Sequence, residues 1–530
     1  MQSSHVFYKR SRRGKVLKVL REHYLRDDIS SCSAFDPLCA ADDNETGQDP
    51  VEEGVLLSAN PYKQRYLLLD TNTVLHQIDV LEHDCPPVSD VIIVQTVLEE
   101  TKHRNLALYN RLRDVIRNRK RRFVVFPNMH HRDTYAQRNP QESSNDYNDR
   151  LIRIAAAWYQ QHLGDKVSIV LVTNDVDNLT KAKQEGLNAM TMKELAEQEK
   201  DSYPELLEHC AAPMGEQDTQ HQPTQKEIRQ TGRRKWYDEH LPLSTIQTGI
   251  KQGKYRQGTL RNSRDCWFDA TVSINTSSNE QVPVLIRGRT NMNRAMDGDA
   301  VAIQILPKSE WRQPSDRLAP APSTSMEEEK QEEELELNNE TSKHLDGSSS
   351  ISVGESELKN ASSQGMRPTG KVVGIIRRNW RQYCGSLEPD SATSRGSGGN
   401  VVGGATWALF VPVDAKFPRI RIETRQREEL LDKRIVVAID SWDVYSKYPR
   451  GHYVKTLGKI GDKEVETQVV LLEHEIPTGE FSAAVMACLP PADWQITHEN
   501  SKGREDFRGL RVCSIDPPGC KDIDDALHTR

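Results

Sequence analysis

The sequence has 530 residues, of which 36% are hydrophobic and 28% charged, and its formal net charge is −7 at pH 7. This length predicts three or four domains with polar linkers between them. There is no apolar run long enough to span a membrane, the N-terminus is too basic for a signal peptide, and the nine cysteines lack the spacing of a disulfide scaffold, so we expect a soluble intracellular protein with no membrane partner.

Charge is segregated along the chain. His5–Arg26 carries eight Lys and Arg against one Glu, whereas Met326–Glu340 carries eight Glu against one Lys. Further basic runs lie at Arg117–Arg122 and Arg233–Tyr237. This pattern is typical of a chain that contacts polyanions at chosen places, although a single basic run is more often a solvated surface.

Residues 1–60 begin with a basic segment that could be helical and end in a polar stretch. Cys32 and Cys39 are the cysteines of this region. Their C-x₆-C spacing alone is a weak signal for zinc, and we favour free thiols.

An α/β pattern covers residues 61–200, and residues 201–240 are polar and predict a linker. Short apolar runs alternate with helical stretches such as Leu151–Tyr159, a pattern that predicts a parallel sheet. The predicted strands are Tyr66–Leu69, Val91–Val94, Phe123–Phe126 and Val167–Val172.

Four acidic residues of this segment are placed to meet at one crevice. Asp70 and Asp175 each follow an apolar strand, Glu100 follows another apolar run, and Asp149 opens a helix. Sites in parallel α/β sheets form outside the carboxyl ends of the strands. Any one of these residues alone is more safely interpreted as a helix cap or a turn residue. Together they favour an Mg²⁺ or Mn²⁺ site that could activate water for phosphodiester hydrolysis.

Residues 65–197 resemble a PIN nuclease domain. The motifs that carry the resemblance are Asp70-Thr71-Asn72, Asn148-Asp149-Arg150 and Thr173-Asn174-Asp175. The resemblance implies that four residues hold the metals and carry the activity: Asp70, Glu100, Asp149 and Asp175. The register favours Glu100 over its neighbour Glu99, and we expect no direct role for Asp146 or Asp177.

Two all-β regions follow. Residues 241–306 and 367–464 show short alternating strands with glycine turns, which predict two small barrels. Residues 307–366, which separate them, are too polar to fold and predict a disordered acidic linker. Within the second barrel, Ser391–Gly404 predicts a flexible loop.

Aromatic and basic residues in these barrels are candidate RNA contacts, because aromatic rings can stack on bases while arginine follows the phosphates. They are Trp267, Phe268, Arg378, Trp380 and Tyr383. A core role is an equally good interpretation of Trp380 and Tyr383. Both barrels resemble the cold-shock OB domains that precede the catalytic domain in relatives of RNase II.

A cluster of four aspartates lies in the last segment, residues 465–530. It comprises Asp516, Asp522, Asp524 and Asp525. Such a cluster repels itself unless a cation lies within it; the alternative is an acidic surface turn. Cys513–Ala526 resembles the catalytic (RNB) motif of the RNase II/RNase R family of 3′→5′ exoribonucleases. The resemblance implies Mg²⁺ bound at this cluster, with Asp524 as its catalytic member.

The expected fold is therefore multidomain, α/β plus all-β: a PIN-type parallel sheet, two cold-shock OB barrels and the start of an RNase II catalytic domain. This order resembles the exosome ribonucleases that combine both nucleases. The resemblance implies single-stranded RNA and exosome core subunits as partners, and RNA processing in the nucleus, its nucleolus and the cytoplasm.

Two departures from that family affect the expectation. The resemblance implies that residues 1–60 form an exosome-docking segment. The family has a three-cysteine candidate zinc element in that segment, whereas this chain shows only Cys32 and Cys39 there, which puts zinc in doubt. The RNB domain is only begun, so we expect no exonuclease activity from these 530 residues alone. A catalytically inert RNA-binding and exosome-docking module is the alternative function, and the barrels disfavour a free-standing toxin-like PIN nuclease.

Overall fold

The computed structural model describes residues 2–10, 15–36, 57, 65–211, 235–264, 266–275, 281–311, 367–389, 405–476, 478, 481, 483–491, 493–521 and 525–528. The chain forms two compact units, Met1–Glu475 and Ile476–Arg530. No helix within the described ranges has the length and apolar character needed to cross a membrane.

The basic N-terminal segment is a β-hairpin. Strands β1 (Gln2–Arg10) and β2 (Val16–Tyr24) pair antiparallel over their full lengths. The suggestion of a helix was therefore wrong, because both strands contain the β-branched and aromatic residues that favour extended backbone. Cys32 is half-buried and packs against the core of the next domain, and Cys39 lies outside the described residues.

The first domain is built on a five-stranded parallel sheet in the order β5-β4-β3-β6-β7. Its strands are β3 Arg65–Leu69, β4 Val91–Val94, β5 Phe123–Phe126, β6 Ser168–Val172 and β7 Ala189–Met190. All of β4 is buried, as are β3 and β6 after their first residues, which is typical of a parallel sheet between helices. The predicted parallel α/β sheet is confirmed.

Helices connect these strands, and several begin at a polar residue that caps the first turn. Asp70, Ser143 and Asp175 each accept a hydrogen bond from a backbone N–H at the helix start. The helices are α1 Thr71–His76, α2 Ile78–Glu82, α3 Gln95–Arg104, α4 Leu106–Arg117, α5 Ser144–Leu163, α6 Val176–Gln184, α7 Met192–Gln198 and α8 Glu205–His209. Short 3₁₀ turns lie at Pro86–Val88, Arg119–Arg121 and Gly164–Lys166.

The next five strands form one antiparallel sheet in the order β10-β9-β8-β11-β12. They are β8 Arg256–Asn262, β9 Asp269–Asn275, β10 Gln281–Arg287, β11 Ala300–Ile305 and β12 Gly370–Arg377. A bridge between Leu285 and Thr369 brings β10 to the start of β12. Helices α9 (Leu243–Lys251) and α10 (Arg289–Met292) and a 3₁₀ turn at Lys308–Glu310 complete this domain.

The second barrel is closed in the order β13-β14-β15-β17-β16. Its strands are β13 Gln382–Leu387, β14 Thr406–Pro412, β15 Ile420–Thr424, β16 Lys433–Ser441 and β17 Arg450–Lys459. Helices α11 (Arg427–Leu430) and α12 (Lys463–Glu473) pack on it. The predicted loop Ser391–Gly404 and the predicted linker beyond residue 311 lie outside the described residues.

The structure corrects three domain boundaries. Strand β12 pairs with β11, so it completes the first barrel and does not belong to the second. Helix α12 packs Val469 against the second barrel, so that barrel extends beyond residue 464. In the predicted linker 201–240, Leu206 is buried in the core of the first domain and Tyr237 in that of the second barrel. Hydrophobic contacts made across long sequence distances decide these boundaries.

Ile476–Arg530 contains helix α13 (Ala483–Ala487) and an antiparallel pair of short strands, β18 (Val512–Cys513) and β19 (Leu527–His528). In the sequence, these two strands flank residues 514–526, which include the four aspartates.

A buried ionic network joins the first domain to the second barrel. His452 on β17 lies between Asp440 on β16, 2.7 Å from its Nδ1, and Asp79 on α2, 3.3 Å from its Nε2. Asp79 also accepts from Arg111 at 2.7 Å and from Gln382 at 3.0 Å. Burial lowers the pKa of His452, but the charge of Asp440 and hydrogen bonds to both carboxylates outweigh it and raise the pKa to about 10. A charged imidazolium thus bridges the two domains.

Replacing this imidazolium should destabilise the junction. His452→Ala leaves Asp79 and Asp440 buried with less compensating charge, which typically costs about 3–5 kcal/mol when a buried ion pair loses one partner. We expect faster hydrogen exchange in peptides from α2 and β17. Because the pKa of His452 is raised, its stabilising effect is full below pH 6.5 and is lost as the pH rises through about 10. The exposed His474 provides the control, and equal exchange in His452→Ala and His474→Ala would contradict the network.

Candidate active site

Asp70 is the most constrained of the four predicted acids. It follows β3, is fully buried, and caps α1 through a 2.6 Å hydrogen bond from the backbone N–H of Thr71. Its other oxygen accepts from Thr173 Oγ1 at 2.6 Å and from Asn178 Nδ2 at 3.2 Å. Burial raises the pKa of Asp70, whereas these donors oppose the rise. The carboxylate is therefore held in one orientation at the carboxyl edge of the sheet.

Asn178 owes its own orientation to Arg153. Arg153 Nη1 donates to Asn178 Oδ1 at 2.7 Å, and a guanidinium can only donate. The amide oxygen of Asn178 must therefore face Arg153, which leaves its NH₂ group to bind Asp70. The sequence signal for Asn178 is its place three residues after Asp175, and for Arg153 its place four residues after Asp149; neither was recognised from the sequence alone.

Asp175 lies at the neighbouring strand end, after β6. It caps α6 by accepting from the backbone N–H of Asn178 at 3.0 Å, and its other oxygen accepts from Asn72 Nδ2 at 3.3 Å. Because β3 and β6 are adjacent parallel strands, Asp70 and Asp175 emerge at the same edge.

Glu100 reaches this edge from α3. Its Oε2 accepts from Thr71 Oγ1 at 2.9 Å and from Asn148 Nδ2 at 3.0 Å, and its Oε1 lies 2.6 Å from Arg104 Nη2. The adjacent Glu99 is exposed and accepts from Gln95 instead. This geometry supports the choice of Glu100 over Glu99.

Asp149 on α5 lies in the electrostatic field of the other three acids. Burial raises its pKa to about 7, and the charges of Asp70, Asp175 and Glu100 add to the rise, while Arg153 opposes it. No hydrogen-bond donor in the described part of the chain satisfies its carboxylate. Crowded negative charge at a half-buried carboxylate is the arrangement that a divalent cation relieves.

The donor set fits Mg²⁺ or Mn²⁺ chemically, since both prefer carboxylate oxygens. The side chains are not, however, gathered into a finished cage. Within the described ranges, no three His, Cys, Asp or Glu side chains form a group that could hold a metal ion. Asp70 and Glu100 are each held by hydrogen-bond donors of the protein instead.

Two nearby acids stay apart from the site. Asp146 is exposed and bonds to Ser143 Oγ at 2.6 Å at the start of α5, and its Oδ1 lies 3.5 Å from Lys181 Nζ. Asp177 is exposed on the first turn of α6. These positions agree with the expectation that neither residue has a direct role.

The RNA contacts predicted on the barrels need correction. Trp267, Phe268 and Tyr383 are only 3%, 0% and 0% exposed and belong to one hydrophobic core, so their rings cannot stack on bases. Arg378 is committed to buried Asp299, with Nη1 to Oδ2 at 3.1 Å. Trp380 is half-buried, with the Arg378 guanidinium 4.7 Å from its ring centroid. Of the four predicted aromatic contacts, Trp380 is the one that is partly exposed.

A second aromatic surface was not predicted. Trp407 on β14 is half-buried, and the guanidinium carbons of Arg421 and Arg450 lie 4.4 and 5.0 Å from its ring centroid. The three residues come from β14, β15 and β17, which are neighbours in the closed barrel. They meet because their strands are neighbours in the barrel. Since the three residues are far apart in the sequence, the sequence alone does not indicate that they form one surface.

The acidic motif of the last segment is described in part. Asp516 is half-buried and Asp525 exposed, while Asp522 and Asp524 lie outside the described residues. The expected turn is present, since Cys520 N donates to Pro517 O at 3.1 Å and Gly519 has a φ of 89°. The roles of all four aspartates stay predictions.

Family comparisons agree with these domains. A PIN domain model matches residues 67–193, a Rrp44-like cold shock domain model matches 236–379, and a Dis3-like cold-shock domain 2 model matches 407–475. The second of these matches includes β12, as the observed strand pairing requires.

Curated relatives extend the similarity over the whole chain. Exosome complex exonuclease RRP44 homolog A of Arabidopsis thaliana is 44% identical over 530 residues, covering 100% of this chain and 53% of the relative. Exosome complex exonuclease RRP44 of Mus musculus is 44% identical over 545 residues, covering 100% and 52%. Exosome complex exonuclease dis3 of Schizosaccharomyces pombe is 37% identical over 530 residues, covering 98% and 51%.

The chain is homologous over its whole length to the RRP44/Dis3 exosome exonucleases. It spans about half the length of these curated relatives. The resemblance to exosome ribonucleases is thereby confirmed for this RRP44/Dis3 homologue.

The raised pKa of Asp149 predicts a pH-dependent gain in stability for Asp149→Asn. A carboxyl group whose folded pKa is raised stabilises the fold below its unfolded pKa, near 3.8, and this benefit is lost as the pH rises through about 7. With EDTA present, Asn should therefore stabilise the domain at pH 8 by on the order of 1–2 kcal/mol, after allowance for partial exposure, and hardly at pH 4.

The free energy of unfolding at each pH is measured by urea denaturation, with hydrogen exchange of the β3 and β6 peptides as the readout. Asp146→Asn is the control, because bonds from Ser143 and Lys181 lower the pKa of Asp146 and its replacement should not stabilise at pH 8. A pH-independent effect of Asp149→Asn would contradict the account.

Proposed function

We propose that this chain is a ribonuclease of RNA processing and degradation whose PIN-type domain cleaves RNA internally with Mn²⁺ or Mg²⁺. The observation that carries the proposal is the position of Asp149. Its carboxylate has no described donor, and its pKa is raised to about 7 by burial and by Asp70, Asp175 and Glu100. A residue with a strongly raised pKa and identified charge partners is a candidate for function.

The four acids would hold the metal, with Asp70 as the fixed member. A bound divalent ion would lower the pKa of water and stabilise the leaving oxygen of the phosphodiester. Thr173 and Asn178 orient Asp70, while Thr71 and Asn148 orient Glu100. These neutral donors hold the carboxylates at the sheet edge before RNA arrives.

The remaining assignments follow the relatives. Their names describe exosome complex exonucleases, so we propose exosome core subunits and single-stranded RNA as partners. The hairpin-bearing N-terminal region would dock on the exosome, and the half-buried Trp380 and Trp407 with their arginines would contact RNA. The four C-terminal aspartates would belong to the Mg²⁺ site of a 3′→5′ exonuclease domain. The nucleus, with its nucleolus, and the cytoplasm are the proposed compartments.

A catalytically inert RNA-binding and docking module is the second candidate. Donors from protein side chains already satisfy Asp70 and Glu100, and the described residues contain no gathered metal-binding group. In such a module the acids would serve as helix caps and as anchors for hydrogen bonds.

Cleavage of a circular single-stranded RNA in Mn²⁺ separates the two candidates, because a circle offers no end to an exonuclease. We expect the 530-residue chain to open the circle. Asp175→Asn should reduce the rate roughly 100-fold or more, since it removes a charge that the cleavage step depends on. The measurement is the rate of conversion of circle to linear RNA on a denaturing gel.

Asp177→Asn is the matched control, since Asp177 lies on the same helix but is exposed. It should cleave at the parent rate. RNA that binds but is never cleaved by the parent chain would support the inert module, and cleavage unaffected by Asp175→Asn would place the activity elsewhere.

A further inference from the structure

The two carboxylate oxygens of Glu100 have different kinds of partner. Oε2 accepts only from neutral groups, Thr71 at 2.9 Å and Asn148 at 3.0 Å. Oε1 lies 2.6 Å from Nη2 of Arg104, which is four residues later on the same helix. A positive charge therefore already sits on one of the oxygens that the proposed function requires for a metal ion.

The Arg104 side chain is placed so that it can move away from Glu100. Its side chain is 41% exposed, whereas Glu100 is only 12% exposed. Besides Glu100 it bonds Asn145 Oδ1 at 3.1 Å, a single neutral contact at the rim. Water can solvate the exposed guanidinium once it is displaced, which limits the cost of exchanging it for a competing cation.

Arg153, the other arginine near the acids, is placed in the opposite way. Its side chain is 7% exposed, and it bonds both Glu185 at 3.0 Å and Asn178 at 2.7 Å. Moving it would release the amide that orients Asp70. The two arginines thus have separate roles, a fixed one for Arg153 and an exchangeable one for Arg104.

A divalent ion and a guanidinium on the same carboxylate oxygen repel each other, so ion entry at Glu100 would release Arg104. The released side chain would stand at the end of α3, beside the acids, with its planar set of donors free. That set matches the geometry of a phosphate group and can bind it through two hydrogen bonds. RNA presents phosphates on either side of the bond to be cut.

We propose that Arg104 is an exchangeable counter-ion of the active site. It neutralises Glu100 while the site is free of metal, and it binds an RNA phosphate after a divalent cation has taken its place. This rests on the proposed endonuclease function and extends it with a residue that couples metal binding to substrate binding. Such coupling makes the metal-free site a poor binder of RNA and the loaded site a better one.

The first test is the affinity for Mn²⁺ without RNA, measured by electron paramagnetic resonance on the 530-residue chain. Arg104→Ala should bind Mn²⁺ about threefold to tenfold more tightly than the parent, because a competitor for Glu100 is gone. A merely structural role for Arg104 predicts weaker binding instead. Arg113→Ala, an exposed arginine on the next helix, is the control and should leave the affinity unchanged.

The second test is cleavage of the circular RNA at saturating Mn²⁺. Arg104→Ala should raise KM by about tenfold with a smaller change in kcat, because a phosphate contact is lost. Arg104→Lys keeps the charge but lacks the planar donor set, so its KM should lie between that of the parent chain and that of Arg104→Ala.

Each outcome decides something different. Unchanged or weaker Mn²⁺ binding by Arg104→Ala would overturn the exchange, and tighter binding with an unchanged KM would overturn the phosphate contact. If the parent chain binds Mn²⁺ and cleaves the circle in either case, only this inference fails. If the parent binds no Mn²⁺ at the four acids and does not cleave, the proposed function fails with it.

Discussion

Mutual repulsion between carboxylates at one edge of a parallel sheet is the constraint on which the first domain depends. The order β5-β4-β3-β6-β7 places the ends of β3 and β6 side by side, so Asp70 and Asp175 emerge together. Hydrogen bonds to the carboxylates reduce the energetic cost of this repulsion, chiefly those that Thr173 and Asn178 donate to buried Asp70. Burial and the charges of Asp70, Asp175 and Glu100 raise the pKa of Asp149 instead.

The same electrostatic requirement governs the junction between the first domain and the second barrel. Asp79 and Asp440 are shielded from water there, and a charged His452 lies between them. Buried charges tolerate few alternative arrangements, because each misplacement leaves an uncompensated charge. The junction is therefore defined by a few specific partners, whereas the barrel cores are defined by volume and apolar surface.

Much of this architecture could be predicted from the sequence, for physical reasons. Runs such as Val91–Val94 are buried on both faces, and β-branched residues between helical stretches indicate parallel strands directly. Asp70 and Asp175 were recognisable because neighbouring parallel strands end at one edge, and Glu100 and Asp149 because the sequence resembles a PIN domain. The hydrogen bonds that run from Arg153 through Asn178 to Asp70 could not be predicted from the sequence, because they depend on how α5 and α6 pack. Trp267 and Phe268 were misjudged because an aromatic residue suits a core as well as a base-stacking surface. Strand β12 was misplaced because its partner β11 lies beyond a long insertion.

We propose that Asp70, Glu100, Asp149 and Asp175 bind a divalent metal together. Crystals of the 530-residue chain grown with Mn²⁺, with diffraction data collected at the manganese absorption edge, test this binding. We expect an anomalous peak among these four carboxylates, with the Arg104 side chain turned away from Glu100. Strong anomalous peaks elsewhere, with Asp70 still bound to Thr173 and Asn178 and Glu100 still bound to Thr71, Asn148 and Arg104, would show that the four acids do not bind the metal.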